Sequence, residues 1–512
     1  MKRYSIILAV LSLSFGVGLT SCKSQDPLLV KTEAGYVRGI NEHSVQAFYG
    51  IPYARAERFM PPTKTEKWDT VMVCDHFGPI CYQASQPDEE RFIPMSEDCQ
   101  VLNVWTKNTQ AKKKMPVILW IHGGGYGAGT TSWNPGMGLA HKDVVFVSLH
   151  HRLNILGFLD LSACGEKYKY SGNQSLLDVV ACLEWIRDNI SAFGGDPSNV
   201  TIVGQSGGGG KVANILCMPS AKDLFNKAII MSGVFYDNNS RELSQQLGLE
   251  VLNQLGISPE EVDNIKDVPY AELAAAGNRA SRVLAEKSDN PGAIMFASFS
   301  PTPDGEVVVQ APYEPSFPDF SSKKPIIMGT TISEGERYPG DISLDEAKAM
   351  LRERLGDETD RFVECFQAAW PDCTPGDMLA VDDGLRSSTL EVSDRISKIH
   401  GAPVYCYMFN CKSPKTHVAA HGDDVDFAFN RLWDETDGSH TEAEHHVSDV
   451  MSQAWANFCY TGDPNVAGEP TWHPYNQENG EMFIFQENCT IKYNFDREYQ
   501  EILARHPAAP RY

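Results

Sequence analysis

Several classes of protein are excluded by what the sequence lacks. After a short apolar run near the N-terminus, no apolar stretch is long enough to span a bilayer. No internal repeat and no low-complexity linker divides the 512 residues. The 13 cysteines and 14 histidines contain no C-x-x-C pair, no H-E-x-x-H motif and no cluster with zinc-ligand spacing, so no zinc site is expected.

Positive charge is also scarce. The chain has 44 Lys and Arg residues against 67 Asp and Glu residues, which gives a formal net charge of -23. This balance argues against a nucleic-acid partner, because phosphates would be repelled. Hydrophobic residues make up 42% and charged residues 22%. The composition therefore predicts a globular protein with a large core and an acidic, solvated surface.

The N-terminus has the pattern of an export signal. A basic start at residues 1–3 is followed by a mostly apolar run at 6–19 and then by small and polar residues. The run ends in L-T-S-C, which resembles the lipobox of bacterial lipoproteins and implies cleavage before Cys22 and lipid attached to it. We therefore expect an exported protein that is lipid-anchored to a bacterial membrane. The alternative is a soluble periplasmic or secreted protein in which Cys22 is incidental.

Continuous apolar runs alternate with helical patterns along the rest of the chain. The runs lie at residues 115–121, 144–149, 200–203, 325–328 and 404–408, and a helix-like stretch at 177–193 precedes the third of them. Apolar strands separated by helices predict a mostly parallel sheet that is buried on both faces. Sites in such sheets form at the carboxyl ends of the strands, so the residues that follow each run matter most.

A serine with glycines on both sides follows the run at 200–203. The sequence there is G-Q-S-G-G, and a helical pattern comes next. In this context a G-x-S-x-G motif places the serine on a tight strand-to-helix turn with its hydroxyl exposed, beside the positive end of the helix dipole. A phosphate-binding loop is the rival interpretation, but Lys211 is followed by Val212 and not by serine or threonine. The motif predicts that Ser206 is a nucleophile.

A second glycine cluster, H-G-G-G-Y-G at 122–127, follows the run at 115–121. Acyl transfer creates an oxyanion that needs preorganised N–H donors. HGGG-type loops supply such donors, together with the N–H of the residue after the serine. An ordinary flexible loop is the alternative interpretation.

Four more segments resemble the type B carboxylesterases, the family that includes the cholinesterases. They are G-I-P-Y-A at 50–54, S-E-D-C-Q-V-L-N-V-W at 96–105, F-G-G-D-P at 193–197 and T-G-D-P-N at 461–465. Gln100 stands where the family usually has leucine. The resemblance covers residues 30–495. It implies an α/β-hydrolase fold, with a mostly parallel central sheet, helices on both faces and helical insertions, and it implies hydrolysis of carboxylic esters.

The resemblance also suggests the partners of the serine. Glu334 has the place of the acid in G-T-T-I-S-E-G, although Ser333 replaces the usual aspartate before it. His421 has the place of the base in H-G-D-D. The chain order Ser206, Glu334, His421 is the one expected of α/β-hydrolases. The same carry-over assigns the oxyanion hole to the backbone N–H groups of three glycines: Gly124, Gly125 and Gly207.

These residue types suit the chemistry independently of the resemblance. Serine needs a nearby base, histidine has an ordinary pKa near neutrality, and a buried carboxylate fixes the histidine tautomer. The rival histidines are His417, His440, His445 and His446, of which the last two lie in a helix-like stretch and are interpreted as surface or packing residues. Asp304 is the rival acid, but P-D-G is typical of a turn.

Two further expectations come from the resemblance. Cys99 is usually disulfide-bonded to an upstream cysteine, and Cys81 occupies the matching position, with Cys74 as the rival partner. Such a bond would stabilise the fold by roughly 3 kcal/mol. Gln205 stands where many family members have glutamate, so we expect little preference for cationic substrates such as choline esters.

The sequence thus predicts a signal peptide at 1–21, a short tether at 22–30 and a single α/β-hydrolase catalytic domain at 31–505. The expected activity is hydrolysis of small to medium uncharged esters through an acyl-enzyme, without a cofactor or metal. The polar stretches at 237–290 and 338–374 are expected to cover the pocket. A catalytically silent adhesion or binding protein is one alternative. Hydrolysis of amides, carbamates or thioesters is another, because the motif does not specify the bond.

Overall fold

The structure is a computed structural model that describes residues 26–84, 93–235, 240–288, 298–334, 340–381, 384–412, 417–434 and 438–507. The expected signal peptide and Cys22 lie outside these residues. Within them, no helix combines the length and the apolar character that crossing a bilayer requires.

An eleven-stranded sheet dominates the described part of the chain, in the order β16-β15-β14-β13-β12-β11-β9-β10-β8-β4-β3. The strands in chain order are β1 (Leu29–Lys31), β2 (Tyr36–Arg38), β3 (Ile40–Glu42), β4 (Val45–Pro52), β5 (Ala54–Arg55), β6 (Thr63–Lys64), β7 (Val71–Val73), β8 (Val101–Thr106), β9 (Met115–Ile121), β10 (Val145–Leu149), β11 (Gly195–Gln205), β12 (Lys227–Met231), β13 (Ile326–Thr331), β14 (Val404–Phe409), β15 (Glu481–Phe485) and β16 (Thr490–Tyr493). The block from β10 to β15 is parallel, and the pairs toward both edges are antiparallel.

The parallel block explains why its strands read as continuous apolar runs. Every residue of β9, β10, β12, β13 and β14 is buried, as expected for strands covered on both faces. The predicted runs coincide with these strands. Only β11 differs clearly, because it starts at Gly195 and pairs with Met115 before an irregularity in register that precedes Val200.

Helices pack against the sheet and form two insertions. In chain order they are α1 (Met137–Ala140), α2 (Asn154–Phe158), α3 (Gln174–Asn189), α4 (Gly207–Ile215), α5 (Arg241–Leu255), α6 (Tyr270–Ala285), α7 (Leu344–Leu355), α8 (Thr359–Ala369), α9 (Pro375–Ala380), α10 (Leu385–Ile399), α11 (Asp423–Ala428), α12 (Glu442–Thr461) and α13 (Arg497–Arg505). α4 packs on β11 and β12, α12 packs on β9 and β11, and α10 packs on β13 and β14. The predicted helix at 177–193 is α3 followed by a short 3-10 turn that ends at Gly194.

The insertion that contains α5 and α6 has a core of its own. Leu247, Val251 and Leu273 from these helices pack with Leu153 and Leu156 beside α2. This packing ties the insertion to the segment that follows β10, at the carboxyl end of the sheet. The idea that the stretches at 237–290 and 338–374 cover a pocket stays a prediction.

Candidate active site

Ser206 occupies the turn between β11 and α4. Its φ of 55° and ψ of -129° lie in a region that residues with a side chain rarely adopt. The Ser206 N–H donates to the Met231 carbonyl at 2.9 Å, and the Ser206 carbonyl accepts from the Gly210 N–H at 3.0 Å. The strained turn is therefore held from both sides. A Cβ on Gly207 would overlap the carbonyl oxygen of Gly125, so the approach of the glycine loop requires glycine there.

The glycine loop after β9 lies over the start of α4. Gly124 has a φ of 91°, and its carbonyl accepts from the Ala128 N–H at 3.1 Å. Within the described ranges, the N–H groups of Gly124, Gly125 and Gly207 have no recorded acceptor. Gly125 and Gly207 therefore lie close together at the positive end of a helix, and the role of the three N–H groups as oxyanion donors stays a prediction.

Glu334 and His421 meet although they are 87 positions apart in the chain. An isolated bridge joins Ser333 to Ala420, and the Ser333 N–H donates to the Ala419 carbonyl at 3.2 Å. This bridge sets the two loops side by side, and His421 Nδ1 forms a short hydrogen bond with Glu334 Oε2. Because the carboxylate accepts, the proton of the neutral ring lies on Nδ1 and the lone pair on Nε2.

Glu334 is itself held by two further donors. Its Oε1 accepts from the Ser232 hydroxyl at 2.6 Å and from the Thr331 N–H at 2.7 Å. The Glu334 side chain is 2% exposed, whereas that of His421 is 33% exposed. The carboxylate is therefore fixed in the interior, while the imidazole reaches the surface of the site.

The Nε2 side of the His421 ring lies against the end of β11. The side-chain Nε2 of Gln205, the residue before Ser206, is 3.0 Å from His421 Nε2. The structure thus places the residue before Ser206 against the His421–Glu334 pair, and the catalytic roles of Ser206, His421 and Glu334 stay predictions.

The rival residues have other partners. Asp304 Oδ1 accepts from the backbone N–H groups of Glu306, Val307 and Val308, which is the turn that its sequence indicated. On α12, His446 lies 3.4 Å from Glu469, and His440 just before the helix lies 3.2 Å from Glu444.

The sequence analysis missed two residues behind the pair. Ser232 follows β12 with a φ of 46° and donates to Glu334. Asp424 is fully buried on α11 and accepts from the Tyr407 hydroxyl at 2.7 Å. Burial raises the pKa of Asp424 to about 7, against the effect of the Tyr407 hydrogen bond. Ser232 directly follows β12 and so lies at the carboxyl end of another strand of the parallel block. That position could have marked Ser232 as a residue of the site.

A third group lies under the glycine loop. Within the described residues, the Lys211 ammonium and both ring nitrogens of His151 are buried without a hydrogen-bond partner. The His151 ring is 4.7 Å from the His122 ring, and Lys211 Nζ is 5.8 Å from the Tyr126 ring centre. Burial lowers the pKa of Lys211 to about 7 and that of both histidines well below their ordinary value. A lysine on a helix surface and a lysine in the interior look alike in sequence.

The expected disulfide is not formed in the structure. Cys81, Cys99 and Cys74 are all free and buried. Cys81 and Cys99 are nevertheless neighbours: a hydrogen bond to Cys81 is the main cause of the raised pKa of Cys99, and burial adds to it. Cys74 instead contacts the Met72 carbonyl at 3.8 Å.

No group of three or more His, Cys, Asp or Glu side chains in the described part of the chain could hold a metal ion.

A strained serine at a strand-to-helix turn of a parallel sheet, with an acid and a histidine in loops that follow later strands, defines a serine hydrolase of the α/β-hydrolase class. Comparisons with known proteins agree. The sequence model of the carboxylesterase family matches residues 26–364 and 380–502. The para-nitrobenzyl esterase of Bacillus subtilis is 33% identical over 500 residues, which cover 93% of this chain and 98% of that protein. Carboxylesterase 1F of Mus musculus is 30% identical and covers 93% and 94% of the two chains.

Solved structures give the same result. An esterase from Clostridium hathewayi that can hydrolyse aliphatic aromatic polyesters superimposes with a TM-score of 0.85, at 34% identity over 93% of this chain and 98% of that chain. A para-nitrobenzyl esterase structure gives a TM-score of 0.76 at 31% identity, over 93% of this chain and 99% of that chain. The chain belongs to the carboxylesterase family. Its fold is the α/β-hydrolase fold, and its activity is serine-dependent hydrolysis of carboxylic esters, both as predicted.

Proposed function

We propose that Ser206 is the nucleophile of this esterase, that His421 is its general base and that Glu334 orients His421. The observation that carries this assignment is the His421–Glu334 pair, which meets the end of the strand that bears Ser206. Glu334 fixes the tautomer in which Nε2 can accept a proton, and it stabilises the imidazolium that then forms.

The reaction proceeds in two halves. Ser206 Oγ attacks the ester carbonyl carbon while its proton passes to His421 Nε2. The tetrahedral intermediate collapses, the carbon–oxygen bond to the alcohol breaks, and the alcohol leaves with the proton from Nε2. Water then attacks the acyl-enzyme with His421 again as base, and the acid is released as Ser206 regains its proton.

The charge that develops on the carbonyl oxygen is assigned to the N–H groups of Gly124, Gly125 and Gly207. Their lack of recorded acceptors and the close approach of Gly125 to Gly207 support this role. One such donor typically lowers the barrier by about 3 kcal/mol, because the dipole is in place before the charge appears.

A fluorophosphonate probe tests the assignment directly. We expect one equivalent to react with the full-length protein, and digestion followed by mass spectrometry to place the adduct on Ser206. The alternative of a catalytically silent adhesion or binding protein predicts no adduct. An adduct on another serine would contradict the assignment while leaving an esterase.

The substrates are proposed to be small to medium uncharged esters. Related enzymes are named for para-nitrobenzyl esters, for aliphatic aromatic polyesters and for fumonisin B1. Among ester, amide, carbamate and thioester bonds, the family favours the ester. A series of p-nitrophenyl esters of increasing acyl length measures the size of the acyl pocket.

We expect little discrimination in favour of a choline ester. Gln205 is 8% exposed and neutral, so the position beside Ser206 supplies no anion to a quaternary ammonium group. The kcat/KM values for butyrylcholine and for its uncharged carbon isostere, 3,3-dimethylbutyl butyrate, should agree within about threefold at physiological ionic strength, where long-range attraction is screened. The variant Q205E serves as the control and should favour the cation. A strong cation preference in the unmodified protein would reject this idea.

Export and a Cys81–Cys99 disulfide complete the proposal. The basic start, the apolar run and the L-T-S-C ending support a signal peptide at 1–21, lipid on Cys22 and a tether to residue 30. An oxidising compartment outside the cytoplasm would allow a disulfide to form, and the contact between the Cys81 and Cys99 thiols supports their pairing. A soluble secreted form is the alternative to the lipid-anchored one.

A further inference from the structure

Gln205 is packed directly against the proposed base. It is the last residue of β11, and its Nε2 lies 3.0 Å from His421 Nε2. Two glycines border the amide: a Cβ on Gly123 would lie 2.9 Å from Gln205 Oε1, and a Cβ on Gly422 would lie 3.6 Å from Gln205 Nε2. The absence of a side chain at Gly123 therefore leaves the space that the amide occupies, whereas a Cβ on Gly422 would make only ordinary contact with it.

The donor and the acceptor in this contact follow from the chemistry of His421 Nε2 and of the Gln205 amide. Glu334 accepts from His421 Nδ1, so the neutral ring presents a lone pair at Nε2. The NH₂ group of Gln205 can only donate, and the contact is therefore N–H···N. A donor to the neutral form of a base favours that neutral form.

The lone pair at Nε2 is also the acceptor that the serine needs. We propose that Gln205 is a positioning residue that holds His421 in its neutral, proton-accepting tautomer and covers Nε2 until an ester at Ser206 displaces the amide. This inference rests on the proposed function, since it takes His421 as the base. In the resting site His421 is therefore in its proton-accepting tautomer, but its Nε2 is hydrogen-bonded to Gln205. The Ser206 hydroxyl must compete with the Gln205 amide for this nitrogen.

A carboxylate at position 205 would favour the protonated form of His421 instead of the neutral form. It accepts but does not donate, so it would pair with the imidazolium and favour the protonated ring. Among the described residues, the other charged groups that interact with His421 are Glu334, on the loop after β13, and Asp423 and Asp424, on α11. They are shared by every variant at position 205, so a comparison of variants isolates the amide.

The experiment uses two substitutions of similar length in the full chain. Q205M removes the donor, and we expect a fluorophosphonate to label Ser206 about threefold to tenfold faster at a pH where the base is neutral, because one competing hydrogen bond is gone. Q205E supplies a carboxylate, and we expect the apparent pKa on the acid limb of kcat/KM to rise by about one unit or more. The matched control is Q245M on α5. The Gln245 amide donates to the Ser162 hydroxyl at a distance of 2.9 Å and does not contact His421. Q245M should leave both measurements unchanged.

Two results would overturn the inference. Labelling of Q205M at or below the rate of the unmodified protein would show that the amide does not compete with Ser206. An unchanged acid limb in Q205E would show that Gln205 only fills space. Failure of the proposed function is distinguishable, because it would appear as no labelling of Ser206 in the unmodified protein.

Discussion

Replacing Ser206 by alanine is expected to lower kcat for a p-nitrophenyl ester by about 10⁵-fold or more, while KM changes little. The methyl group cannot form the acyl-enzyme, so only binding and the glycine N–H donors remain to assist attack by water. The expectation follows from the proposed roles, and the contact of His421 with Gln205 and the close approach of Gly125 to Gly207 both lie next to the turn at Ser206.

The controls separate the nucleophile from its surroundings. S198A changes an exposed serine near the start of β11 and should leave kcat unchanged. H421A should be nearly as damaging as S206A, and the double variant should be no worse than either, because residues that act as a unit are not additive. If S206A kept a hundredth of the activity, Ser206 would not be the nucleophile.

The turn at Ser206 could be predicted from the sequence because its determinants are contiguous. A strand, two flanking glycines and a helix within a dozen residues suffice to fix the backbone locally. The strands of the parallel block could be predicted equally well, since burial on both faces leaves uninterrupted apolar runs. In contrast, the pairing of Glu334 with His421 depends on a bridge between Ser333 and Ala420, and only the family resemblance suggested it.

The contacts of interior side chains could not be predicted from the sequence. The contact between Gln205 and His421 depends on the register of β11 against two loops distant in sequence. The role of Ser232 depends on β12 lying next to β13. The burial of Lys211 depends on which face of α4 meets the glycine loop, and a short glycine-rich helix has no amphipathic pattern that would reveal it.

Lys211 gives the largest expected effect on stability. Its side chain is fully buried, and Nζ has no hydrogen-bond partner among the described residues. The buried Arg152 is different, because Asp178 accepts from its Nε at 2.9 Å and from a terminal nitrogen at 2.6 Å. A buried charge with a partner is compensated, whereas one without a partner is held at a cost.

The cost depends on pH in a definite direction. Burial lowers the pKa of Lys211 from about 10.5 to about 7. Above the unfolded pKa both states are neutral, and the lysine adds no penalty. As the pH falls below that value, the unfolded chain gains a proton that the folded chain does not bind, so the free energy of unfolding decreases until the folded pKa is reached. Below about pH 7 the penalty is complete, and a shift of this size corresponds to about 5 kcal/mol.

K211M is therefore expected to raise the free energy of unfolding by about 5 kcal/mol near pH 6, since methionine fills a similar volume without a charge. The gain should shrink steadily as the pH approaches 10. Chemical denaturation of both proteins across this range measures the difference, and K112M, at an exposed lysine in the loop before β9, should show no such trend. A loss of stability in K211M, or a gain that does not vary with pH, would mean that a partner of opposite charge compensates the ammonium group in solution. The difference between the two proteins isolates Lys211, because their other titrating groups are the same.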